Sequence, residues 1–295
     1  MKIRRLSKAS ALLFLLLMVA CVRRDVMVVE KFAFPGPYKK AAAQGMAVYG
    51  NTLFLLNNGG HCRIYDLKSK ELVSDFDLES ADKENHCNSA SFGVAFPEGN
   101  EEFPAFYVSE CYGERRCFVE SITSNGSRLI QTLSLGTDGV ESRSFDWVVD
   151  RKQKFLYAIA TASEELDAIG TRKYLITKLP LPALDLDNVV FKQNDIIEQF
   201  EISFPNLSQG ASIYGDYLYL PVGLHDYPAA AERPHYSHRD IIVVSLKSKK
   251  VVQTIDIHHL VKGEPEDMDF HDGNIILYCG QSDGGVYKLS GSFPE

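Results

Sequence analysis

Nowhere in this 295-residue chain are lysine and arginine gathered into a stripe, and 31 of them face 39 aspartates and glutamates, for a net charge of −8. Phosphate backbones are held by concentrated cationic side chains, so this distribution argues against nucleic acid as a partner. Apolar runs long enough to cross a bilayer are also missing: the uninterrupted stretch 11–20 is about half the length a spanning helix needs. Cys87 and Ser89 lack the strand–turn–helix setting of a nucleophile elbow, which removes the most direct covalent-catalysis reading. Cysteines are few, and five follow the N-terminal segment, at 62, 87, 111, 117 and 279. An odd number leaves at least one thiol free or paired externally.

What the N-terminus does have is a basic start, Lys2, Arg4, Arg5 and Lys8, then the apolar run, then Cys21 directly after Ala20. That order is a secretory signal, removed from the mature chain. Met18-Val19-Ala20-Cys21 resembles the lipobox of bacterial lipoprotein signal peptides. The resemblance implies a signal peptide over 1–20, lipidation of Cys21, a tether over 21–25 and a mature domain over 26–295. No aspartate adjoins Cys21 and no acidic run follows, which by the same resemblance implies a cell-envelope protein, anchored in the outer membrane and facing the periplasm. In such an oxidising compartment Cys111 and Cys117, flanking YGERR at a hairpin tip, are the nearest candidates for a disulfide.

The body of the chain is organised by a repeat. Residues 44–56, QGMAVYGNTLFLL, return as residues 209–221, QGASIYGDYLYLP, with six of thirteen positions identical. Each copy reads as an alternating strand, a tight Gly-Asn or Gly-Asp turn and a second alternating strand, which is a β-hairpin. Continuing the pattern gives groups of four short strands beginning near 44, 88, 144 and 209. A last group beginning near 264 has only three. The segment 180–195 between two predicted strands has room for a short helix or an added strand. One strand, over 26–33, has no hairpin partner nearby. Placed beside the three-stranded group it completes the set, and a closed ring leaves no open sheet edges to pair with other chains. The expectation is therefore an all-β, five-bladed β-propeller of four-stranded antiparallel blades, monomeric, closed by the N-terminal strand.

In such a ring the first strand of each blade lines the central channel, and alternate loops share a face. On this reading seven of the eight histidines lie on one face, here called the top, and His271 on the other, where Lys68, Lys70, Lys247, Lys249 and Lys250 collect. The starts of the inner strands place Gln44, His86, Asn88, Asp146, Gln209 and Glu266 around the top mouth of the channel. Such a polar ring, under a flap carrying His225, His235 and His238, suits a small molecule, glycan or peptide. Gly45 and Gly210, just after the two glutamines, would allow backbones to approach closely at the axis. The acidic run 264–269 offers oxygen ligands that calcium would use, with Glu264 and Glu266 its nearest candidates. Strand alternation splits that run between two sides, so solvated carboxylates with one lining the channel are expected, and no metal or other cofactor.

The QG-then-hairpin form resembles lipoprotein β-propellers of the YVTN and six-bladed-like superfamily. More loosely, the fold with Glu266 resembles the five-bladed glutamine cyclotransferases, whose channel mouth carries a glutamate. The leading expectation is a binding protein. One alternative is a propeller enzyme, cyclotransferase-like or hydrolytic, with Glu266 or Asp146 as acid or base; another is an outer-membrane interaction scaffold. Replacing Cys21 by serine is expected to abolish incorporation of labelled palmitate in bacterial cells and release the protein from the membrane fraction; undiminished labelling would show that Cys21 is not the lipidated residue.

Overall fold

The computed structural model describes residues 26–32, 43–136, 145–161, 171–185, 188–223, 238–280 and 284–295. Cys21 and the flap histidines His225 and His235 lie outside them. The described chain forms five sheets. Blade A holds β2 (Ala43–Tyr49), β3 (Thr52–Asn57), β4 (His61–Asp66) and β5 (Leu72–Asp77). Blade B holds β6 (Ala90–Phe92), β7 (Phe106–Ser109), β8 (Cys117–Thr123) and β9 (Gly126–Leu135). Blade C holds β10 (Phe145–Asp150), β11 (Phe155–Thr161), β12 (Thr171–Pro180) and β14 (Glu198–Pro205). Blade D holds β15 (Ser212–Tyr214), β16 (Tyr217–Val222), β17 (Asp240–Ser245) and β18 (Lys250–Asp256). Blade E holds β19 (Glu264–His271), β20 (Asn274–Gly280) and β21 (Gly285–Ser290).

The second strand of each blade reads as a nearly continuous apolar run because both of its faces are buried. In β3, Leu53 and Leu55 pack into the seam with blade E, while Phe54 and Leu56 pack into the seam with blade B. The period of two thus feeds two cores from one strand. Five apolar clusters result, one in each seam: A–B, B–C, C–D, D–E and E–A. A cluster between the first and last blades means that the ring is closed.

Closure is made by β1 (Met27–Phe32), which pairs antiparallel with β21 from Met27 opposite Ser290 to Phe32 opposite Val286. It is the outermost strand of blade E, the place that the three-stranded count leaves open. Phe32 is buried in the E–A cluster, and Lys70 of blade A lies 3.6 Å above its ring and 3.2 Å from Glu30. The segment after blade C's third strand differs from a plain four-strand plan. It forms β13 (Asn188–Phe191), which leaves blade C and pairs in parallel with β9, making blade B five-stranded. A short 3-10 helix, Gln193–Asp195, follows. Phe191 and Val189 thereby reach the B–C cluster around Trp147, which is apolar surface that a solvent-facing loop would forgo.

Deleting residues 27–32 is expected to expose the edge of β21 and the E–A apolar seam, giving soluble oligomers or aggregate in size-exclusion chromatography and a lower melting temperature. A monomer with an unaltered melting transition would show that the strand does not close the ring.

Candidate functional site

An inner strand of a propeller has a neighbour on one side only, so its channel-facing N–H groups need acceptors from elsewhere. Here two carboxylates of β19 supply most of them. Asp267 Oδ2 accepts from Met46 N of blade A at 2.8 Å and Ala90 N of blade B at 3.0 Å. Its Oδ1 accepts from Ala211 N of blade D at 3.3 Å and from Met268 N at 2.9 Å. One carboxylate therefore joins four blades. One step along, Asp269 accepts from Val48 N at 2.9 Å, Phe270 N at 2.8 Å and Ser212 Oγ at 3.3 Å. Blade C is held by hydroxyls of blade B: Trp147 N donates to Ser109 Oγ at 2.8 Å and Val149 N to Ser91 Oγ at 3.1 Å.

The glycines allow this approach. A Cβ on Gly210 would lie 2.4 Å from Asp267 Oδ1 and 2.6 Å from the Glu266 carbonyl oxygen, and one on Gly45 2.8 Å from the carbonyl oxygen of Cys87. That same oxygen accepts from Gly45 N at 2.7 Å. Any side chain at either position would push the inner strands apart.

The three residues aligned by the repeat all stand where a ladder breaks. The register of β2 against β3 shifts between Ala43 and Met46, and that of β19 against β20 between Pro265 and Asp267. Gln209 precedes the start of β15. A bulge re-aims the side chain it carries, and here the result is two amide–carboxyl pairs between blades. Gln44 Nε2 donates to Glu266 Oε2 at 3.5 Å, and Gln209 Nε2 donates to Glu264 Oε1. On the other side of the mouth Asn88 Nδ2 donates to Asp146 Oδ1 at 2.7 Å. His86 lies over the Tyr112 ring, 4.7 Å between centroids. The expectation of solvated carboxylates is therefore corrected: Glu264, Glu266, Asp267 and Asp269 are all buried. The bulge at Glu266 lets all four turn inward, which simple alternation forbids.

Desolvation sets the protonation of this mouth. Burial pushes Asp146 up to about 7, against the opposing hydrogen bonds of Asn88 and Ser89. Burial, reinforced by the charges of Glu264 and Asp267, holds Glu266 well above the usual carboxyl range. Asp267 is likewise raised by burial, with its backbone hydrogen bonds opposing. Burial lowers His86 to about 4 and raises Tyr112 to about 12. Near pH 7 the imidazole and the phenol are thus uncharged. Gln44 Oε1 is buried without a hydrogen-bond partner among the described residues. Turning that amide over would let a protonated Glu266 donate to it.

The six mouth residues named from sequence fall into two groups: Gln44, Gln209 and Glu266 with Glu264, and His86, Asn88 and Asp146. Tyr112 and Arg172 were not legible as members. Asp146, Glu264 and Arg172 all act electrostatically on the Tyr112 hydroxyl, so both residues belong to the mouth. Tyr112 stands in the hairpin tip and Arg172 near the start of β12, and no strand-1 alignment reaches either. Of the flap histidines only His238 is described; it sits at the corner of blade D between Asp240 and Asp256.

The proposed disulfide is also corrected, because Cys111 and Cys117 are separate buried thiols. The tip is closed instead by a two-pronged ion pair, with Arg116 Nε 2.9 Å from Glu110 Oε2 and its Nη2 2.9 Å from Glu110 Oε1. Cys117 lies in the β7–β8 ladder opposite Ser109. Cys111 uses its backbone to hold the mouth, donating to His86 O at 2.9 Å and accepting from Phe145 N at 3.1 Å.

No family model matches the chain, and no curated protein matches its sequence. Solved structures do share its architecture. The chain is similar to the crystal structure of Myxococcus xanthus glutaminyl cyclase, with a TM-score of 0.53 and 12% identity over 93% of this chain and 99% of that one. Its fold is a five-bladed β-propeller. At that identity the likeness shows the fold alone. The computationally designed Ika8 protein aligns at a TM-score of 0.33 and 12% identity, over 84% of this chain and 70% of that one, too weakly to carry an argument.

A carboxyl whose folded-state pKa is raised binds its proton in the native state when the unfolded chain has already lost it, so its contribution to stability falls as pH rises. For Asp146 that contribution is complete below the ordinary value of 3.8 and is lost as pH rises through about 7. Asp146→Asn is expected to flatten the fall in stability between pH 4 and 7, by a slope of up to about 1.4 kcal/mol per pH unit. Urea unfolding at several pH values checks this; parallel pH profiles for the two proteins would contradict it.

Proposed function

We propose that this protein is a lipid-anchored propeller of the bacterial cell envelope, held in the outer membrane through Cys21, that binds an uncharged polar ligand at the top mouth of its channel. Amide-bearing peptides and sugar hydroxyls are the chemical classes that suit it. The observation that carries the reading is the set of buried amides at the mouth beside an imidazole and a phenol that burial keeps uncharged. Desolvation keeps His86 and Tyr112 uncharged and raises the Glu266 carboxyl, beside the amides of Gln44, Asn88 and Gln209. Such groups recognise partners by donor and acceptor pattern rather than by charge. The orphaned Gln44 Oε1 is an acceptor that a ligand N–H or O–H would satisfy.

A second reading is enzymatic and rests on Glu266. A carboxyl whose hold on its proton is strengthened by burial is better equipped as a general acid than a solvated one. Intramolecular acyl transfer at an amide is the matching reaction: an amine nitrogen attacks the amide carbon and forms the new C–N bond, Glu266 protonates the amide nitrogen so that the old C–N bond breaks and ammonia leaves, and the proton lost by the attacking amine returns the Glu266 carboxyl to its starting state. The five-bladed fold shared with a glutaminyl cyclase supports that choice of reaction class, and fold alone does not establish it.

Thermal-shift screening of the protein against oligosaccharides and short peptides, including ones beginning with glutamine, separates these readings. Binding predicts that at least one class raises the melting temperature and that Gln44→Ala and Glu266→Gln each remove the shift. Catalysis predicts in addition ammonia release from the glutaminyl peptides, lost in Glu266→Gln. Ligand shifts that survive both substitutions would place the binding site elsewhere, and a peptide that binds without releasing ammonia would leave the binding reading alone.

A further inference from the structure

The top corner of blade D holds a group of side chains that the channel mouth does not use. Asp240 opens β17 and Asp256 ends β18, and the two are direct partners in the ladder. Like charges placed opposite each other across a sheet are destabilising. His238 precedes Asp240 by two residues, and its Nε2 lies 3.5 Å from Asp240 Oδ1 and 3.4 Å from Asp256 Oδ1. One donor atom of each residue lies within 4.8 Å of the other two. We infer that His238, Asp240 and Asp256 form a binding site for a divalent ion of the zinc class.

The spacing suits a small tetrahedral ion. In a tetrahedral site with bonds of about 2.1 Å, neighbouring ligand atoms stand about 3.4 Å apart, which matches the spacing of the imidazole nitrogen from each of the two carboxylates. A charge-assisted imidazole–carboxylate hydrogen bond closes to about 2.7–2.9 Å. Blade A supplies an internal comparison at the same corner. There His61 opens β4 opposite Asp77, which ends β5. Its Nδ1 lies 2.6 Å from Asp77 Oδ1, and its Nε2 contacts Asp75 directly. That imidazole is clamped on both nitrogens by hydrogen bonds. In blade D the equivalent carboxylates stand back from the ring.

The surroundings hold the three donors in place. The His238 ring stacks on His258, 4.6 Å between centroids and 9° from parallel. His258 N donates to Asp256 Oδ1 at 2.9 Å, which fixes that carboxylate. Arg239, the nearest cation in sequence, is turned to the carbonyl oxygens of Gly263 and His258, at 3.2 Å each, rather than onto the acidic pair. His258 Nδ1 is buried and has no hydrogen-bond partner among the described residues, so the corner offers a second imidazole nitrogen. One nitrogen and two oxygens suit zinc or cobalt and fall short of the six to eight oxygens that calcium takes. Asp256 and His238 are 61% and 42% exposed, which leaves a coordination position open to water.

The test uses the whole chain, stripped with a chelator and titrated with Co(II), whose visible bands report four-coordinate binding, and with Zn(II) by calorimetry. One ion per chain is expected, weakened at least about tenfold by Asp256→Asn and by His238→Ala, with His61→Ala unchanged. Asp256→Asn keeps its shape at an exposed position, and its ion-free form is expected to melt no lower than the ion-free parent because the carboxylate repulsion is gone. Absence of saturable binding, or binding that both substitutions leave intact, overturns the assignment.

Discussion

The inner edge of each blade is a row of backbone N–H groups with no strand to pair with, and everything at the centre of this molecule follows from finding acceptors for them. A buried N–H without an acceptor costs about 1–3 kcal/mol. Asp267 alone accepts from residues of blades A, B, D and E. Burying a carboxylate so deeply is unfavourable in itself, and it is tolerable here because four donors converge on it. The glycines at 45 and 210, the bulge at Glu266 and the raised pKa values of the buried carboxyls around the mouth are consequences of packing that hub. The polar site and the structural axis are therefore one object. Gln44 and Gln209 reach the glutamates of β19 because Asp267 has already drawn the inner strands together.

Much of the architecture was legible in the sequence because propeller blades are built from local hairpins. The Gln-Gly…Tyr-Gly repeat marks two inner hairpins, and the count of three strands after residue 264 calls for the orphan strand, which β1 supplies. Strand 2 of each blade announces itself as an apolar run because it feeds two seams. What escaped depends on breaks in regularity. The bulge at Glu266 is invisible to an alternation argument, so the acidic run read as partly solvated. The tip at 111–117 offered two cysteines at suitable spacing, but Arg116 and Glu110 close it with a bidentate pair. The strand over 188–191 was foreseen as an addition, yet its place beside β9 follows from apolar contacts with Trp147 that no local pattern encodes.

The two copies of the repeat show how one framework diverges. Blades A and D share their inner hairpin closely, and both carry histidine and aspartate at the top corner of strands three and four. In blade A the imidazole enters the strand and its hydrogen bonds tie β4 to β5. In blade D the histidine sits two residues before the strand and stacks on a neighbouring imidazole instead. A shift of two positions along the chain converts an internal clamp into a cluster that faces solvent.

The pairing of β1 with β21 has a consequence in time. Its partners stand at opposite ends of the described chain, so the contact forms only after the last blade has been synthesised. Until then β21 keeps a bare edge, and the Phe32 and Tyr278 side of the E–A seam stays wet. Closing so long a loop is entropically the most demanding contact in the ring. A chain truncated between residues 257 and 284 keeps the strands of blades A to D and lacks β21, the partner of the closing strand. Quality control by the cell would then read a single event: whether the first strand has met the last.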